Sequence, residues 1–138
     1  MSPPQVLSDS IAERTNAMPP LFVCSKADGL DAAWVNVGGE LDLATAPQLA
    51  QTLRECQSRA SLVMLDLRGV SFMDSSGVHV IVDATVRARL GGKRLVLLRG
   101  LPNVDRLFAL TGNVDLLEIV DADPLDPPAE ALHRIAAE

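Results

Sequence analysis

Aromatic residues are scarce in this chain: its 138 residues include one Trp, three Phe and no Tyr, which together make up 3%. The apolar fraction is nevertheless 48%, so Leu, Val, Ile and Ala must fill the interior. An aliphatic interior of this kind is typical of α/β domains. The length fits one compact domain, because domains cluster at roughly 100 to 150 residues.

Basic residues are also in deficit, with 12 Lys and Arg against 18 Asp and Glu and a formal charge of -6. A protein that binds nucleic acid normally gains affinity by neutralising phosphates with basic side chains. The charge balance therefore disfavours direct contact with nucleic acid. A protein partner or a small ligand is the expected class of binding partner.

Long apolar runs are missing too. None reaches the roughly 20 residues that a membrane helix needs, and the first residues lack the charged start and apolar core of a signal peptide. We therefore expect no membrane contact and a cytoplasmic location.

Cysteine is limited to Cys24 and Cys56, which are too few and too far apart in sequence for a metal cluster. We accordingly expect neither a metal nor a cofactor. Cytosolic thiols are normally reduced, and Cys56 continues the apolar stripe of a predicted helix. Two inert, buried thiols are the favoured interpretation, with a redox-sensitive pair as the alternative.

Residues 1–18 lack sustained apolar periodicity, which predicts a flexible N-terminal tail and a folded domain over residues 19–138. Within the domain, Asp28-Gly29 suits the turn of an N-terminal hairpin. Strands are predicted over residues 21–25, 33–37, 62–67, 95–98 and 114–120. Helices between and after them complete the order ββαβαβαβα, which predicts an α/β fold with a mostly parallel sheet packed with helices.

Helix boundaries and faces follow from finer spacing. The first helix is predicted to begin at Thr45, where Gln48 completes a capping-box signature. Asp126 is predicted to cap the last helix ahead of two prolines. The apolar face of the second helix is predicted at Val78, Val82, Val86 and Leu90, with Ile81 beside them.

The segment Asp74-Ser75-Ser76-Gly77 lies between a buried strand and this second helix. Ligands and partners meet α/β sheets at the C-terminal ends of their strands. The first turn of a helix carries unpaired N–H groups and a partial positive charge, so Asp74 or Ser75 is a natural cap and a phosphate on an adjacent serine can be accommodated. Spacing alone leaves both an ordinary N-cap and a modified site open.

Several motifs together resemble those of the anti-anti-sigma factors, whose folded unit is the STAS domain. The matching motifs are Gly39-Glu40-Leu41-Asp42, Leu65-Asp66-Leu67, residues 72–77, Gly91-Gly92-Lys93, and residues 104–108 with Thr111-Gly112. The likeness extends from about Leu21 to the C-terminus, and it is specific as a set although each motif alone is weak. It implies a single STAS domain that acts as an anti-sigma factor antagonist and is not an enzyme.

In that family the second serine of the Asp-Ser-Ser-Gly motif is phosphorylated, which places the modification on Ser76. The resemblance implies that the kinase is itself the anti-sigma factor. Unphosphorylated protein captures it and frees the sigma factor, and phosphorylation ends the capture. A PP2C-type phosphatase is a further partner that the resemblance implies. The physical basis is sound, because phosphate adds about 1.5 to 2 negative charges beside Asp74.

The resemblance also implies a partner-binding surface, formed by Asp42, Asp74, Ser75, Gly77, Val78 and His79. Asp42 matches an acidic position of the family, although it can also be a solvated loop carboxylate. Val78 can equally belong to the core. His79 departs from the small residue that related proteins often carry. Its imidazolium could approach a phosphate on Ser76 one turn away, or it is an exposed histidine without a role.

Two other functions compete with this interpretation. A hydrolase would use Ser76 as nucleophile with His79 or His133 as base, but no Gly-x-Ser-x-Gly elbow is present, which disfavours it. STAS domains also serve as non-switching subunits of transport or stress-signalling complexes and as nucleotide-sensing modules. The Asp74–Gly77 motif favours the phosphorylation switch over these roles, whereas fold analogy alone would not.

Overall fold

The computed structural model describes residues 22–138, so the tail predicted over residues 1–18 lies outside the described residues. The described chain follows the predicted order ββαβαβαβα. The strands are β1 (Val23–Lys26), β2 (Ala32–Leu41), β3 (Leu62–Met73), β4 (Arg94–Leu98) and β5 (Glu118–Val120). The helices are α1 (Ala46–Arg59), α2 (Ser75–Leu90), α3 (Pro102–Leu110) and α4 (Pro128–Ala136).

The five strands form one sheet in the order β1-β2-β3-β4-β5. β1 and β2 are antiparallel and form the predicted hairpin, whose turn contains Gly29 at a φ of 76°. The other three pairings are parallel. Parallel neighbours need long crossover connections, and α1, α2 and α3 supply them. The prediction of a mostly parallel α/β sheet is therefore confirmed.

The helices cover the two faces of the sheet unequally. Successive strand residues point to opposite faces, so Val63 and Leu65 of β3 join the core shared with α1, α2 and α3. Leu62 and Met64 point the other way and pack with α4, where the half-buried Trp34 also lies. Among the helices of residues 22–138, three thus occupy one face, and α4 covers the opposite one.

Both central strands extend further than the apolar runs predicted. β2 continues to Leu41 through a register shift next to Gly39, which has a φ of 85° that favours glycine. β3 continues to Met73, which pairs with Leu41. Because the two strands end side by side, the residues that follow them, Asp42 and Asp74, emerge at the same edge of the sheet.

The apolar face of α2 differs from the predicted stripe. Val78 and Ile81 are buried as expected, but Val86 is 40% exposed and Leu90 is 84% exposed. Four residues advance a helix by about 400°, so a stripe spaced strictly by four rotates away from the core. The small residues Ala84 and Ala88 are buried in their place, and they allow α2 to pack closely.

Two helix caps and one strand also differ from prediction. Thr45 precedes α1 but its side chain forms no capping hydrogen bond; its hydroxyl instead donates to the carbonyl of Glu40 at 3.0 Å. Pro127, not Asp126, is the N-cap residue of α4, and the Asp126 carboxylate pairs with Arg134 at 3.2 Å. The strand predicted over 114–120 is reduced to β5, because residues 114–116 form turns.

The two cysteines are joined in a disulfide, so the prediction of two free, inert thiols is wrong. Cys56 is fully buried in α1, as its place in the apolar stripe predicted, and Cys24 is half-buried on the edge strand β1. Their Cα atoms are 5.7 Å apart, a separation that a disulfide spans. The bond fastens the edge of the sheet to α1.

Candidate functional site

Asp74 caps α2 directly after the end of β3. Its backbone is extended and its Oδ1 accepts the main-chain N–H of Ser76 at 2.8 Å, while its carbonyl accepts the N–H of Gly77 at 3.1 Å. Of the two caps that the sequence left open, the structure uses Asp74 and not Ser75. The carboxylate satisfies one of the unpaired N–H groups of the first turn.

The two serines occupy the first turn of α2 with their hydroxyls uncommitted. Ser75 is exposed and Ser76 is half-buried, and neither hydroxyl forms a hydrogen bond within residues 22–138. The first turn contains no acidic side chain, and the Asp74 cap offsets part of the positive end of the helix dipole. Ser76 therefore presents a free hydroxyl in an electropositive part of the backbone.

Asp42 lies next to this turn in an ordered loop. The main-chain N–H of Asp74 donates to the carbonyl of Leu41 at 3.0 Å. Because Leu41 directly precedes Asp42, this hydrogen bond holds the backbones of the two aspartates close together. The Oδ1 of Asp42 accepts the N–H groups of Ala44 at 3.0 Å and Thr45 at 3.2 Å, the pattern of an Asx turn. Its carboxylate thus shapes the loop from β2 to α1, rather than being only solvated.

Gly77 and Val78 are buried beneath this surface. A Cβ added to Gly77 would lie 2.7 Å from Cγ of Met73 and 3.3 Å from Cβ of Leu41, so a side chain there requires its neighbours to move. Val78 is only 1% exposed and belongs to the core. The sequence analysis assigned Gly77 to the partner-binding surface and left Val78 open between that surface and the core. In the structure both residues are buried, and they seat the first turn of α2 on the ends of β2 and β3.

The two histidines lie on different faces of the sheet. His79 is exposed on α2, one turn after Ser76. His133 is exposed on α4, which packs against the opposite face. The sheet therefore separates His133 from Ser76, and no hydrogen bond within residues 22–138 joins Ser76 to His79. The arrangement lacks the nucleophile–base contact of a serine hydrolase.

Exposed apolar side chains flank the two aspartates, and the sequence analysis missed them. Leu43 follows Asp42 and is 77% exposed, and Phe72 lies two residues before Asp74 and is 47% exposed. Exposed apolar groups rimmed by polar residues are typical of protein interfaces. The sequence offered one signal for these two residues, which is their position beside the acidic motif residues.

The described residues also bear on metal binding and on membrane insertion. Within residues 22–138, no group of three or more His, Cys, Asp or Glu could hold a metal ion. None of the helices in this range combines the length and the apolar character that a membrane span requires.

Comparison with known proteins gives a consistent result. The family described as the STAS domain matches residues 26–123. An anti-sigma-B factor antagonist from Listeria monocytogenes is 38% identical over 88 residues, which cover 63% of this chain and 77% of the relative.

Similar solved structures include the Bacillus protein SpoIIAA. The anti-sigma factor antagonist SpoIIAA in its unphosphorylated form has a TM-score of 0.68 at 22% identity, over 85% of this chain and 97% of that chain. Its phosphorylated form has a TM-score of 0.63 at 22% identity, over 83% of this chain and 98% of that chain. At this identity the likeness shows a shared fold.

Proposed function

Because the chain belongs to the STAS-domain family of anti-sigma factor antagonists, we propose that it captures an anti-sigma factor while Ser76 is unphosphorylated and releases it once Ser76 carries phosphate. The captured anti-sigma factor is also the kinase, and its capture frees the sigma factor. The protein itself catalyses no reaction.

One observation carries this proposal: Asp74 caps α2 so that the Ser76 main-chain N–H is satisfied while its hydroxyl stays free. The phosphorylated serine is therefore not needed to hold the helix. It is half-buried in the first turn of α2, next to the loop that contains Asp42. The existence of the structural neighbour SpoIIAA in phosphorylated and unphosphorylated forms is consistent with such a switch.

The contact surface consists of Asp42, Asp74, Ser75 and His79, with Leu43 and Phe72 as its apolar part. Exposed apolar side chains supply the burial that drives association, and the carboxylates set the charge that the partner must complement. His79 is placed to approach a phosphate on Ser76, since residues three apart share a helix face. Gly77 and Val78 support the surface from beneath.

Phosphorylation transfers the γ-phosphoryl group of ATP to the Ser76 hydroxyl oxygen. The new O–P bond forms as the bond to the leaving ADP breaks, and the hydroxyl proton passes to a base on the kinase. A PP2C-type phosphatase reverses the modification by hydrolysis, which restores the hydroxyl and releases inorganic phosphate. Neither step requires a cofactor on this chain, and neither involves contact with nucleic acid or a membrane.

The added charge acts on binding rather than on folding. A phosphoserine brings about 1.5 to 2 negative charges next to Asp74, but a helix N-terminus tolerates negative charge and gains roughly 0.3 to 1 kcal/mol from it. The partner surface gains no such compensation. A penalty of about 3 to 4 kcal/mol weakens binding by two to three decades, since each 1.4 kcal/mol is tenfold.

The test is calorimetric titration of the anti-sigma factor with variants of the full chain, with phosphate incorporation from ATP followed in parallel. Ser76→Ala is expected to bind constitutively and to accept no phosphate, whereas Ser76→Glu stays folded and binds weakly. Ser75→Ala is the matched control, because it removes a neighbouring hydroxyl and should still accept phosphate.

Equal affinities of the Ala and Glu variants would overturn the proposal, as would phosphate on Ser75 with none on Ser76. A chain that binds no anti-sigma factor and instead co-purifies with a transport complex would favour the non-switching alternative.

A further inference from the structure

A groove of about 370 Å³ lies between the C-terminal parts of α1 and α2, away from Ser76. Three cationic side chains line it: Arg54 from α1, Arg87 from α2, and Lys93, which directly precedes β4. Within the described part of the chain, no Asp or Glu belongs to the lining. Arg87 follows Ser76 by eleven residues, or about 16 Å along the helix axis, so the groove is distinct from the site described above.

A buried glutamine holds two of the cations in place. Gln57 is 6% exposed, and its Nε2 donates to the carbonyl of Ala84 at 2.9 Å. Its Oε1 accepts Nε of Arg87 at 3.0 Å and Nη2 at 2.9 Å, and its main-chain carbonyl accepts Nζ of Lys93 at 2.6 Å. These acceptors are neutral, so they orient the cations without cancelling their charge.

Arg87 differs from several other arginines of the domain in its electrostatic surroundings. Arg68, Arg94, Arg99 and Arg134 each pair with a carboxylate. Arg87 forms no ion pair within residues 22–138; desolvation by burial and repulsion from Arg54 lower its pKa, and Asp83 opposes this only in part. An anion placed between the two guanidinium groups would relieve this repulsion.

We propose that this groove binds a compact, multiply charged oxyanion of the phosphate or diphosphate type. Guanidinium groups donate pairs of parallel hydrogen bonds that match the geometry of phosphate oxygens. Three positive charges suit a ligand with two or three negative charges better than a single carboxylate. The ligand is either free inorganic anion or the phosphate-bearing end of a small phosphorylated molecule.

The test is a calorimetric titration of the full chain with sodium pyrophosphate at low ionic strength, where exposed charges are least screened. The wild-type protein is expected to show saturable binding. Arg54→Gln and Arg87→Gln are expected to weaken it by about tenfold or more, the scale of one lost charge-assisted hydrogen bond. Arg59→Gln is the matched control, because it removes the same charge from α1 outside the groove, and it should stay within about twofold.

Several outcomes would overturn the proposal: absence of saturable binding, an equal loss in Arg59→Gln, or equal affinity for sulfate and pyrophosphate. Tighter binding of an acidic peptide than of pyrophosphate would also overturn it, by assigning the groove to a protein partner. Because Arg87→Gln also removes the contact with Gln57, Arg54→Gln decides the result if the Arg87 variant is unstable.

Repeating the titration with a small phosphate monoester distinguishes a free anion from a phosphorylated molecule. Ser76→Ala should bind pyrophosphate as the wild type does, so failure here is separable from failure of the switch.

Discussion

Asp74 joins two elements of the domain: its Oδ1 accepts the N–H of Ser76 at 2.8 Å, and its own N–H donates to the carbonyl of Leu41 at 3.0 Å. One residue thereby starts α2 and ties it to the end of β2. The serine proposed as the switch consequently lies on a turn whose position depends on strand pairing, not on the serine itself. This arrangement makes the roles of cap and charge experimentally separable.

Replacing the cap should lower stability by a predictable amount. Asp74→Ala leaves the N–H of Ser76 without its acceptor, and loss of an N-cap costs about 1 kcal/mol. Asp74→Asn retains a capping oxygen and should stay within about 0.5 kcal/mol of the wild type. Urea unfolding followed by circular dichroism measures both. If the Ala and Asn variants were equally destabilised, the carboxylate charge rather than the cap would be the important feature.

Gly77 should not tolerate even a methyl group. Gly77→Ala places its Cβ against Met73 and Leu41, and forcing an extra methyl into a packed site costs typically about 1 to 3 kcal/mol. Gly91→Ala, at the other end of α2, is the control, since its nearest neighbour would be 3.6 Å away at the carbonyl of Arg87. Thermal unfolding should separate the two variants clearly. Comparable melting temperatures would show that Met73 rearranges at little cost.

The disulfide should contribute substantially to stability. It joins cysteines 32 positions apart, and closing a loop of this size stabilises a fold by about 3 to 4 kcal/mol in the chain-entropy description. Dithiothreitol should therefore lower the urea midpoint of the wild-type protein. The double variant Cys24→Ser, Cys56→Ser should start low and be insensitive to the reductant. Two free thiols in the native, unreduced protein would contradict this expectation.

The ion pair of Asp66 and Arg68 should matter far more than an exposed one. Asp66 is 8% exposed and receives Nε and Nη2 of Arg68, each at 2.9 Å. Arg68→Met leaves that carboxylate without its cation, at a cost of about 2 to 4 kcal/mol after allowing for the remaining exposure.

The matched control for this pair is Arg134→Met. It breaks the pair with Asp126, in which the Arg134 side chain is 51% exposed, and such surface pairs contribute about 0 to 1 kcal/mol. Denaturant midpoints of the two variants provide the comparison. Similar losses in both would mean that water screens the Asp66–Arg68 pair effectively.

The sequence predicted the order of elements because each element has a local signal. The apolar runs 62–67 and 95–98 lie within β3 and β4, and the Gly91-Gly92 pair lies at the end of α2 as expected. The ends of β2 and β3 could not be read in this way. Leu41 and Met73 pair with each other across the sheet, and no local pattern reports a contact between residues so distant in sequence.

The disulfide was missed for the same reason. Cys24 and Cys56 meet only after β1 has paired with β2 and α1 has packed against the sheet. The spacing of the apolar residues correctly indicated that Cys56 is buried, but burial does not identify a partner. The expectation of reduced thiols rested on the cellular compartment, not on geometry.

The helix cap of the candidate site could be predicted from the sequence, but the division of its residues into exposed and buried ones could not. The sequence predicted a helix cap at Asp74 or Ser75, and in the structure Asp74 is the cap. Sequence alone could not separate the residues that face solvent from those that face the core, because one turn of helix contains both. Gly77, against Met73, and Val78 are buried, whereas Leu43, outside the matching motifs, and Phe72, within one of them, are exposed.

The fluorescence of the single tryptophan reports on only one face of the sheet, the face that α4 covers. Trp34 packs beneath α4, so its fluorescence should follow the detachment of that helix during unfolding without any engineered label. Ser76 lies across the sheet, and an anti-sigma factor bound there should leave the emission unchanged. A change of emission upon phosphorylation would instead mean that the structural change at Ser76 extends through the sheet to its opposite face. A fluorescence spectrum can therefore distinguish a local switch from one that involves the whole domain.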